Sequence, residues 1–294
     1  MTGVWVFGPD DIYLVGNNLY RFDGSSFHQI HTRDSTHHVT MDGAMNGYSI
    51  FAFDTNHYWL IHYGGDAVHS LTNGVFEDFR PGQTNACWGQ SSHDLFVVGN
   101  AGQIHHYDGT TFTDMASPTT KDLRSVWGTS HNDVWACGAN VSTGQTTLLH
   151  YDGTIWTEDP LANTESAKRS GMFVVWAGDS LGHHLAVTAG SNVYHRTDGG
   201  AWRNDTTLVP NSLGQGTFVG LYLLSANSST DIMAAGSWGW VGHWNGKTWQ
   251  RYDALYDYSN VNYIGKALSL KGNTACVVGT KNGQSWVAIG RRAK

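Results

Sequence analysis

The amino-acid sequence repeats itself, and the length of the repeat limits the folds that the chain can adopt. A Trp stands six residues before an Asp, and a Gly follows that Asp by five, in segments that begin at Trp5, Trp88 and Trp127. A second motif, typified by His-Tyr-Asp-Gly-x-x-Trp, follows each segment. Its turn glycines recur at intervals of 35 to 50 residues, at positions 24, 74, 109, 153, 199 and 246. A period of about 40 to 50 residues with short strands is typical of a β-propeller.

One repeat unit predicts four antiparallel strands. In the fourth unit these strands lie near residues 126–128, 133–137, 148–151 and from 156 onward. Asp152-Gly153 predicts the hairpin between the third and fourth strands, because Asp-Gly favours a type I′ turn. The Gly that ends the second strand is expected to use its tolerance of positive φ. The strands are apolar throughout, as expected when both faces of a sheet are buried.

Seven such units predict an all-β fold, a seven-bladed β-propeller of four-stranded antiparallel blades in a single domain over residues 1–294. The blades are predicted near residues 4–43, 48–80, 84–116, 123–159, 171–205, 218–253 and 261–294. The seventh unit carries signals for three strands, so we expect the last blade to lack its outer strand. Such an edge can accept a strand donated by another segment or by a partner.

The pattern Trp-Gly, then Asp-Val-Trp-Ala-x-Gly, then His-Tyr-Asp-Gly-x-x-Trp resembles the repeats of bacterial, often exported, seven-bladed β-propeller proteins. The resemblance spans essentially the whole chain and is clearest in the first, third and fourth units. The chain is less similar to sialidase-type propellers, because the segment from Asp198 to Trp202 departs by one residue from their Asp-box motif. The resemblance implies the fold but no activity, because propellers host binding, scaffolding and catalysis alike.

Composition restricts the partners of this protein. The chain has 17 Lys and Arg against 24 Asp and Glu, a formal net charge of −7, so it lacks the basic surplus of nucleic-acid-binding proteins. No apolar run approaches the roughly 18 residues of a membrane-spanning helix, and we expect no membrane insertion. Three widely spaced cysteines form neither a disulfide framework nor a zinc motif. We predict no metal and no cofactor.

The surface composition favours an extracellular or cell-surface location. Lys supplies only 7 of the 17 cations, Asn, Ser, Thr and Gly are abundant, and three glycosylation sequons begin at Asn140, Asn204 and Asn227. Strand-like sequence follows Met1 at once, so an export signal would have been removed. The cysteine pattern leaves a cytoplasmic location open.

Most of the sixteen histidines are interpreted as structural, because several occupy one position in the repeat. Those on the third strand are His106, His150, His195 and His243. We expect each to make a recurring hydrogen bond beside the turn, and we interpret His93 and His131 in the same way. The acidic residues that start the second strand are expected to accept backbone N–H bonds. They are Asp11, Asp94, Asp133 and Asp231.

Function is expected where the units differ, in the long loops on one face of the ring. The loop over residues 28–47 concentrates imidazoles, carboxylates and a guanidinium without repeating. Candidate catalytic residues are His37, His38 and Asp42 in this loop and Arg169 in the loop over residues 157–171. An imidazole would act as a base, and Arg169 would neutralise a uronate.

Aromatic side chains on the same face predict a binding surface, because aromatic rings stack on sugars and anchor protein partners. The candidate ligand-binding residues are Trp238, Trp240, Tyr256, Tyr258 and Arg33, and burial of Trp240 in the core is the alternative for that residue. The preferred hypothesis is a non-catalytic propeller that binds a protein or a glycan on the long-loop face. The alternatives are a glycan-active lyase or hydrolase at the channel mouth and a structural module of an extracellular assembly.

Overall fold

A computed structural model describes residues 1–33, 39–40, 47–73, 75–140, 145–163, 172–178, 184–189, 192–197, 199–205, 220–255, 257, 262 and 264–292. The protein is an all-β propeller with six blades of four antiparallel strands and a partial seventh sheet. Within these ranges, no helix combines the length and the apolar character that crossing a bilayer requires.

The first three sheets contain the strands β1 to β14. The first blade is formed by β1 (Gly3–Gly8), β2 (Asp11–Val15), β3 (Leu19–Phe22) and β4 (Phe27–Ile30). The second sheet contains β5 (Thr32–Arg33), β6 (Val39–Thr40), β7 (Tyr48–Asp54), β8 (His57–His62), β9 (Val68–Thr72) and β10 (Val75–Phe79). The third blade is formed by β11 (Ala86–Ser91), β12 (Asp94–Val98), β13 (Ile104–Tyr107) and β14 (Phe112–Asp114).

The remaining four sheets contain β15 to β29. The fourth blade is formed by β15 (Ser125–Ser130), β16 (Asp133–Asn140), β17 (Gln145–Tyr151) and β18 (Trp156–Glu158). The fifth is formed by β19 (Met172–Gly178), β20 (His184–Ala189), β21 (Asn192–Thr197) and β22 (Arg203–Asp205). The sixth is formed by β23 (Leu221–Ser228), β24 (Asp231–Gly236), β25 (Val241–Trp244) and β26 (Trp249–Arg251). The partial sheet contains β27 (Ile264–Lys271), β28 (Thr274–Lys281) and β29 (Gln284–Arg291).

The innermost strands of the sheets face the centre of a ring, and we call them the first strands: β1, β7, β11, β15, β19, β23 and β27. Each of these strands contacts the first strand of the next sheet, and β27 contacts both β23 and β1, so the partial sheet lies between the sixth blade and the first. The apolar core is divided among the spaces between neighbouring sheets, where residues such as Ile12, Leu60 and Phe96 are fully buried. Burial of both sheet faces explains why inner strands such as β2, β8 and β12 are apolar, whereas the outer strands β4, β10 and β14 are mostly exposed and carry polar residues.

The segment over residues 28–47 does not form a plain loop. It contains β5 and β6, and Val75 of β10 pairs with Arg33 of β5 in a parallel orientation. The strand order of the second sheet is β6-β5-β10-β9-β8-β7, which places β5 and β6 beyond the outermost strand of the blade. The unpaired backbone groups of an edge strand explain this addition.

Two glycines of the repeat make room for neighbouring blades. A Cβ atom on Gly128 would lie 2.7 Å from the ring of Trp88, so the Gly of the Trp-Gly motif makes room for the indole of the preceding blade. A Cβ atom on Gly138 would lie 1.8 Å from the carbonyl oxygen of Asp122. Gly138 does not have positive φ, unlike Gly64 at 70°. Close approach, rather than the expected positive φ, explains the Gly that ends the second strand.

The hairpin between the third and fourth strands is closed by a side chain. In the fourth blade, Asp152 Oδ1 accepts hydrogen bonds from the backbone N–H groups of Thr154 and Ile155 at 2.8 and 2.9 Å. Gly153 has a φ of 91°, whereas Asp152 does not have positive φ. A type I′ turn needs positive φ at both positions, so the predicted turn type is wrong and the turn is an Asx turn.

The Asp that begins the second strand pairs with a basic or imidazole side chain on the third strand. The donor–acceptor distances are 2.7 Å for Arg21–Asp11, 2.7 Å for His106–Asp94, 2.9 Å for His150–Asp133 and 2.8 Å for His243–Asp231. The structure therefore shows the hydrogen bond that the repeat predicts for His106, His150 and His243. The side chains of the third strand, rather than the backbone N–H groups expected, supply the donors.

Four planar groups stack between the fourth and fifth blades. The His150 ring lies 4.1 Å from the Trp135 ring at an interplanar angle of 20°. The Arg196 guanidinium follows, 4.7 Å from the Trp135 centroid and 4.7 Å from the Trp202 centroid. Buried Asp159 accepts a hydrogen bond from Arg196 at 2.7 Å and one from Trp202 Nε1 at 3.0 Å. Asp159 is therefore part of the contact between two blades.

Asp133 anchors the other end of this stack. Burial alone would raise the pKa of Asp133, but hydrogen bonds from His150, Thr129 and Trp135 outweigh burial and lower this pKa to about 2. The carboxylate therefore remains ionised at neutral pH and holds the His150 and Trp135 rings in place.

Substitution of Arg196 tests this contact. We expect Arg196→Ala to lower the free energy of unfolding by about 3 kcal/mol, because it leaves Asp159 buried without its cation. Arg196→Lys loses the planar stack and should cost about 1 to 2 kcal/mol. Arg21→Lys, in the exposed Arg21–Asp11 pair, is the control and should cost less than about 1 kcal/mol. Urea unfolding of the three variants measures the differences, and equal losses at Arg196 and Arg21 would contradict the interpretation.

His69 is buried in the second blade without an equally buried counterion. Its side chain is 2% exposed, its Nε2 lies 2.9 Å from Tyr48 Oη, and its Nδ1 lies 3.3 Å from the more exposed Asp78. Desolvation lowers the pKa of His69 to about 4, with Asp78 offsetting part of this effect. His69 is therefore neutral in the folded protein at physiological pH.

This burial predicts a pH dependence of stability. Between pH 6.5, the ordinary pKa of histidine, and about pH 4, the unfolded chain binds a proton that the folded protein does not bind at His69. Stability should therefore fall as the pH is lowered through this window, by up to about 3 kcal/mol from this group. Denaturant unfolding at several pH values should show a smaller loss for His69→Gln. An identical pH dependence in both proteins would contradict the prediction.

Candidate functional site

A central channel runs through the ring, with a volume of about 910 Å³. Its wall is formed mainly by the first strands of the sheets, because these strands face the centre. The described residues of the wall include ten aromatic side chains and three cations, Arg124, Lys266 and Lys271, but no Asp, Glu or His. In a chain with a net charge of −7, this channel is a local region of positive charge.

The repeated Trp residues of the first strands form much of this wall. The Trp5 and Phe51 rings lie 4.9 Å apart, and the Phe51 and Trp127 rings lie 6.3 Å apart, both with edge-to-face geometry. Trp88 is nearly fully buried, whereas Trp5 and Trp127 are half-buried. These aromatic contacts make the channel wall rigid.

The end of the channel at which the first strands begin combines cations with aromatic rings. We call Tyr63, Arg124, Phe173, Tyr222 and Lys266 the channel mouth. Tyr63 follows β8 and has half of its side chain exposed, at 50%. The other four residues stand just before β15 or near the beginning of β19, β23 and β27. Lys271 lies at the opposite end of β27 and so at the other end of the channel.

Arg124 is held in place by three of its neighbours. Its Nη1 donates a hydrogen bond to Tyr63 Oη at 3.0 Å, and its Nε donates one to the carbonyl oxygen of Ala139 at 2.9 Å. Its guanidinium lies 5.9 Å from the centroid of the Phe173 ring. A guanidinium fixed in this way can bind a carboxylate with little loss of side-chain entropy.

The aromatic residues of the channel mouth are also fixed. The Phe173 and Tyr222 rings lie 5.1 Å apart at an interplanar angle of 85°. Ser237 Oγ donates a hydrogen bond to Tyr222 Oη at 3.1 Å. The channel mouth thus offers positive charge, phenolic oxygens and ring faces to a ligand, but no pair of a nucleophile and a base among its five residues.

The structure describes three of the nine sequence-predicted site residues, Arg33, Trp238 and Trp240. His37, His38, Asp42, Arg169, Tyr256 and Tyr258 lie outside the described residues. Arg33 lies on β5, at the outer edge of the second sheet rather than beside the channel, because its segment pairs with β10. The placement of Arg33 on the long-loop face is therefore corrected.

Trp240 also differs from the expectation of an exposed aromatic platform. Its side chain is 2% exposed and belongs to the apolar cluster between the fifth and sixth blades, with Trp176 and Leu224. A Cβ atom on Gly242 would lie 2.3 Å from its ring, which shows how tightly the indole is enclosed. Trp240 is a core residue and cannot stack on a surface ligand. Trp238 is half-buried against the same cluster and has a φ of 55°.

Sequence reasoning missed the residues of the channel mouth because each is an isolated exception within a regular unit. Asn85 in the third blade occupies the position of Arg124 in the fourth, since both precede the first strand by one residue. A comparison of the units position by position at the start of the first strand would have identified Arg124. The proximity of Tyr63 and Phe173 to Arg124 depends on how the blades are arranged around the ring.

Comparison with solved structures supports the fold. The structure titled "YCF48 bound to D1 peptide" has a TM-score of 0.67 and 15% sequence identity, covering 99% of this chain and 91% of that one. YCF48 from Cyanidioschyzon merolae has a TM-score of 0.65 and 14% identity, covering 99% and 94% of the two chains. A streptogramin B lyase has a TM-score of 0.70 and 11% identity, covering 94% and 89%. No protein-family model and no curated protein matches the sequence.

Proposed function

We propose that this protein is a non-catalytic propeller that binds an anionic, extended segment of a partner protein at the channel mouth. The observation that carries the proposal is the combination of a fixed guanidinium, a second cation and aromatic rings in a channel whose described wall holds no Asp, Glu or His. Carboxylates of a peptide would pair with Arg124 and Lys266, and its apolar side chains would contact the rings of Phe173 and Tyr222.

The solved structures lend support of a general kind. One of them is a propeller of this fold with a bound peptide, as its title states. The fold is therefore compatible with peptide binding, and the charge of this channel favours an acidic peptide. We also propose that the partial sheet is the seventh blade of the propeller. We further propose that the chain belongs to the bacterial repeat propellers and that it is located outside the cell or at the cell surface.

The alternatives differ in what the described residues offer them. A glycan-binding surface would lack one of its predicted aromatic residues, because Trp240 is buried. A glycan-active enzyme stays a prediction, because His37, His38, Asp42 and Arg169 lie outside the described residues. The channel mouth favours binding over catalysis, since the described residues that line the channel include no carboxylate or imidazole to act as a base.

Charge removal at the channel mouth tests the proposal. The probe is a fluorescein-labelled peptide of about ten residues with alternating Glu and Val. We expect Arg124→Ala and Lys266→Ala each to weaken binding of this peptide about tenfold, because each removes a charged partner of a carboxylate. Added salt should weaken binding to the unaltered protein. Fluorescence anisotropy measures the affinities.

The control for this experiment is Lys247→Ala, at the exposed turn between β25 and β26 of the sixth blade. Lys247 lies on the hairpin at the outer side of the sixth blade, away from the strands that line the channel. This variant should therefore bind the peptide with the same affinity as the unaltered protein. A loss at Lys247 as large as the loss at Arg124, or no loss at Arg124 and Lys266, would overturn the proposal. A peptide with Gln in place of Glu should bind weakly throughout.

The partial sheet offers a second place for an acidic segment. Strand β29 pairs with β28 and with no other strand in the described part of the chain. Residues 264–294 contain six Lys and Arg and no Asp or Glu. Acidic residues of other sheets, Asp10, Asp231 and Asp257, neutralise part of this charge. We propose that an acidic strand of the partner adds to β29, since a second copy would bring two cationic edges together.

Introducing a charge at position 287 tests strand addition. Val287 on β29 is 37% exposed, so this position tolerates a polar substitution. In the Arg124→Ala protein, whose channel mouth binds the acidic peptide weakly, we expect a further Val287→Glu substitution to weaken the remaining binding at least fivefold by charge repulsion and Val287→Thr to leave it unchanged. Val75→Glu is the control, on an exposed Val of β10 whose edge is already covered by β5. Equal binding by Val287→Glu and Val287→Thr would contradict strand addition without affecting the channel-mouth proposal.

A further inference from the structure

Three metal-ligating side chains converge where the third and fourth blades meet. Asp94 begins β12, His106 lies on β13, and His131 stands in the turn between β15 and β16 of the next blade. One ligand atom from each side chain lies within 4.8 Å of the others. The sequence assigns both histidines to structural repeat positions, and their separation matches no metal-binding motif.

Both imidazoles contact the same carboxylate oxygen. His106 Nε2 lies 2.7 Å and His131 Nδ1 lies 2.9 Å from Asp94 Oδ1. The two imidazole rings have an edge-to-face arrangement with centroids 5.3 Å apart. The side chains of Asp94 and His106 are each 20% exposed and that of His131 is 43% exposed, so an ion from solvent can reach the cluster.

The imidazoles are fixed by packing. The fully buried ring of Phe96 lies 4.8 Å from the His106 ring and 5.6 Å from the His131 ring. The backbone N–H of His131 also donates a hydrogen bond to Gln90 Oε1 at 2.8 Å. The three donors are therefore held near one another before any ion binds, which reduces the entropic cost of binding.

The sixth blade shows what the same position looks like without a second imidazole. There, Asp231 accepts hydrogen bonds from His243 and Asn227 and pairs with the guanidinium of Arg292. The permanent positive charge of Arg292 would repel a metal ion. In the third blade the imidazole of His131, a side chain that can bind a metal, takes the place of this guanidinium.

We propose that Asp94, His106 and His131 form a binding site for a divalent transition-metal ion, with Zn²⁺ as the best match and water completing the coordination. Two imidazole nitrogens and one carboxylate oxygen are common zinc ligands and leave a position open. An imidazole binds a metal through a ring nitrogen that carries no proton, so a proton on the nitrogen facing Asp94 would pass to the other ring nitrogen or to solvent when the ion binds. The bound ion would link two adjacent blades through their side chains.

Isothermal titration of the full chain with Zn²⁺ tests the site. We expect saturable binding at this site that His131→Asn weakens at least tenfold, because Asn can keep the hydrogen bond to Asp94 but supplies no imidazole ligand. Asp94→Asn should weaken binding to a similar extent. Zn²⁺ should also raise the unfolding temperature of the unaltered protein and not that of His131→Asn. Unfolding without metal establishes that each variant is folded.

The matched control is His243→Ala, which removes the imidazole of the sixth blade and should leave zinc affinity unchanged. Absence of saturable zinc binding by the unaltered protein would overturn the proposal. Undiminished binding by His131→Asn, or an equal loss in His243→Ala, would also overturn it. The result is independent of the peptide-binding proposal, because none of the three ligands belongs to the channel mouth.

Discussion

The structure depends on the close packing of each sheet against its two neighbours. Apolar strands such as those containing Ile12, Leu60 and Phe96 are buried on both faces except at their ends. Burial of both faces supplies the main driving force for folding, and it requires the backbones to approach closely. Gly128 and Gly138 meet this requirement where any Cβ atom would collide with the neighbouring indole or carbonyl group. The repeated sequence therefore reflects both the order of the strands and the narrow space available between neighbouring groups.

Polar groups in this packing are satisfied by recurring pairs and by local exceptions to them. The pairing of the second-strand Asp with a third-strand cation or imidazole recurs in the first, third, fourth and sixth blades. The third blade adds His131 to this pair, and the sixth adds Arg292. The fourth blade extends it through Trp135 to Arg196 of the fifth. The same pair of a second-strand Asp and a third-strand His thus forms part of a candidate metal site, an ion-pair cluster or an inter-blade stack, depending on one neighbouring side chain.

The channel mouth shows how a regular ring can acquire a binding site. The repeated aromatic residues make its wall rigid, and the cations come from positions at which the units differ. Arg124 replaces an Asn of the preceding unit and is fixed by Tyr63 and Phe173 from the second and fifth blades. The site therefore exists only in the assembled ring. The partial sheet adds a cationic edge, so both proposed contact surfaces favour an acidic partner.

The sequence by itself determined the class of fold, the four-stranded unit, the three strands of the last sheet and the hydrogen bonds of His106, His150 and His243. These features follow from local periodicity and turn chemistry, which every copy of the unit restates. The tertiary structure alone decided that Trp240 is buried, that Arg33 lies at an outer edge, and that Arg124 faces the channel. It also brought His131 to Asp94, 37 residues earlier in the chain. Such contacts join different blades, and their distances depend on the packing of whole sheets, which no local pattern specifies.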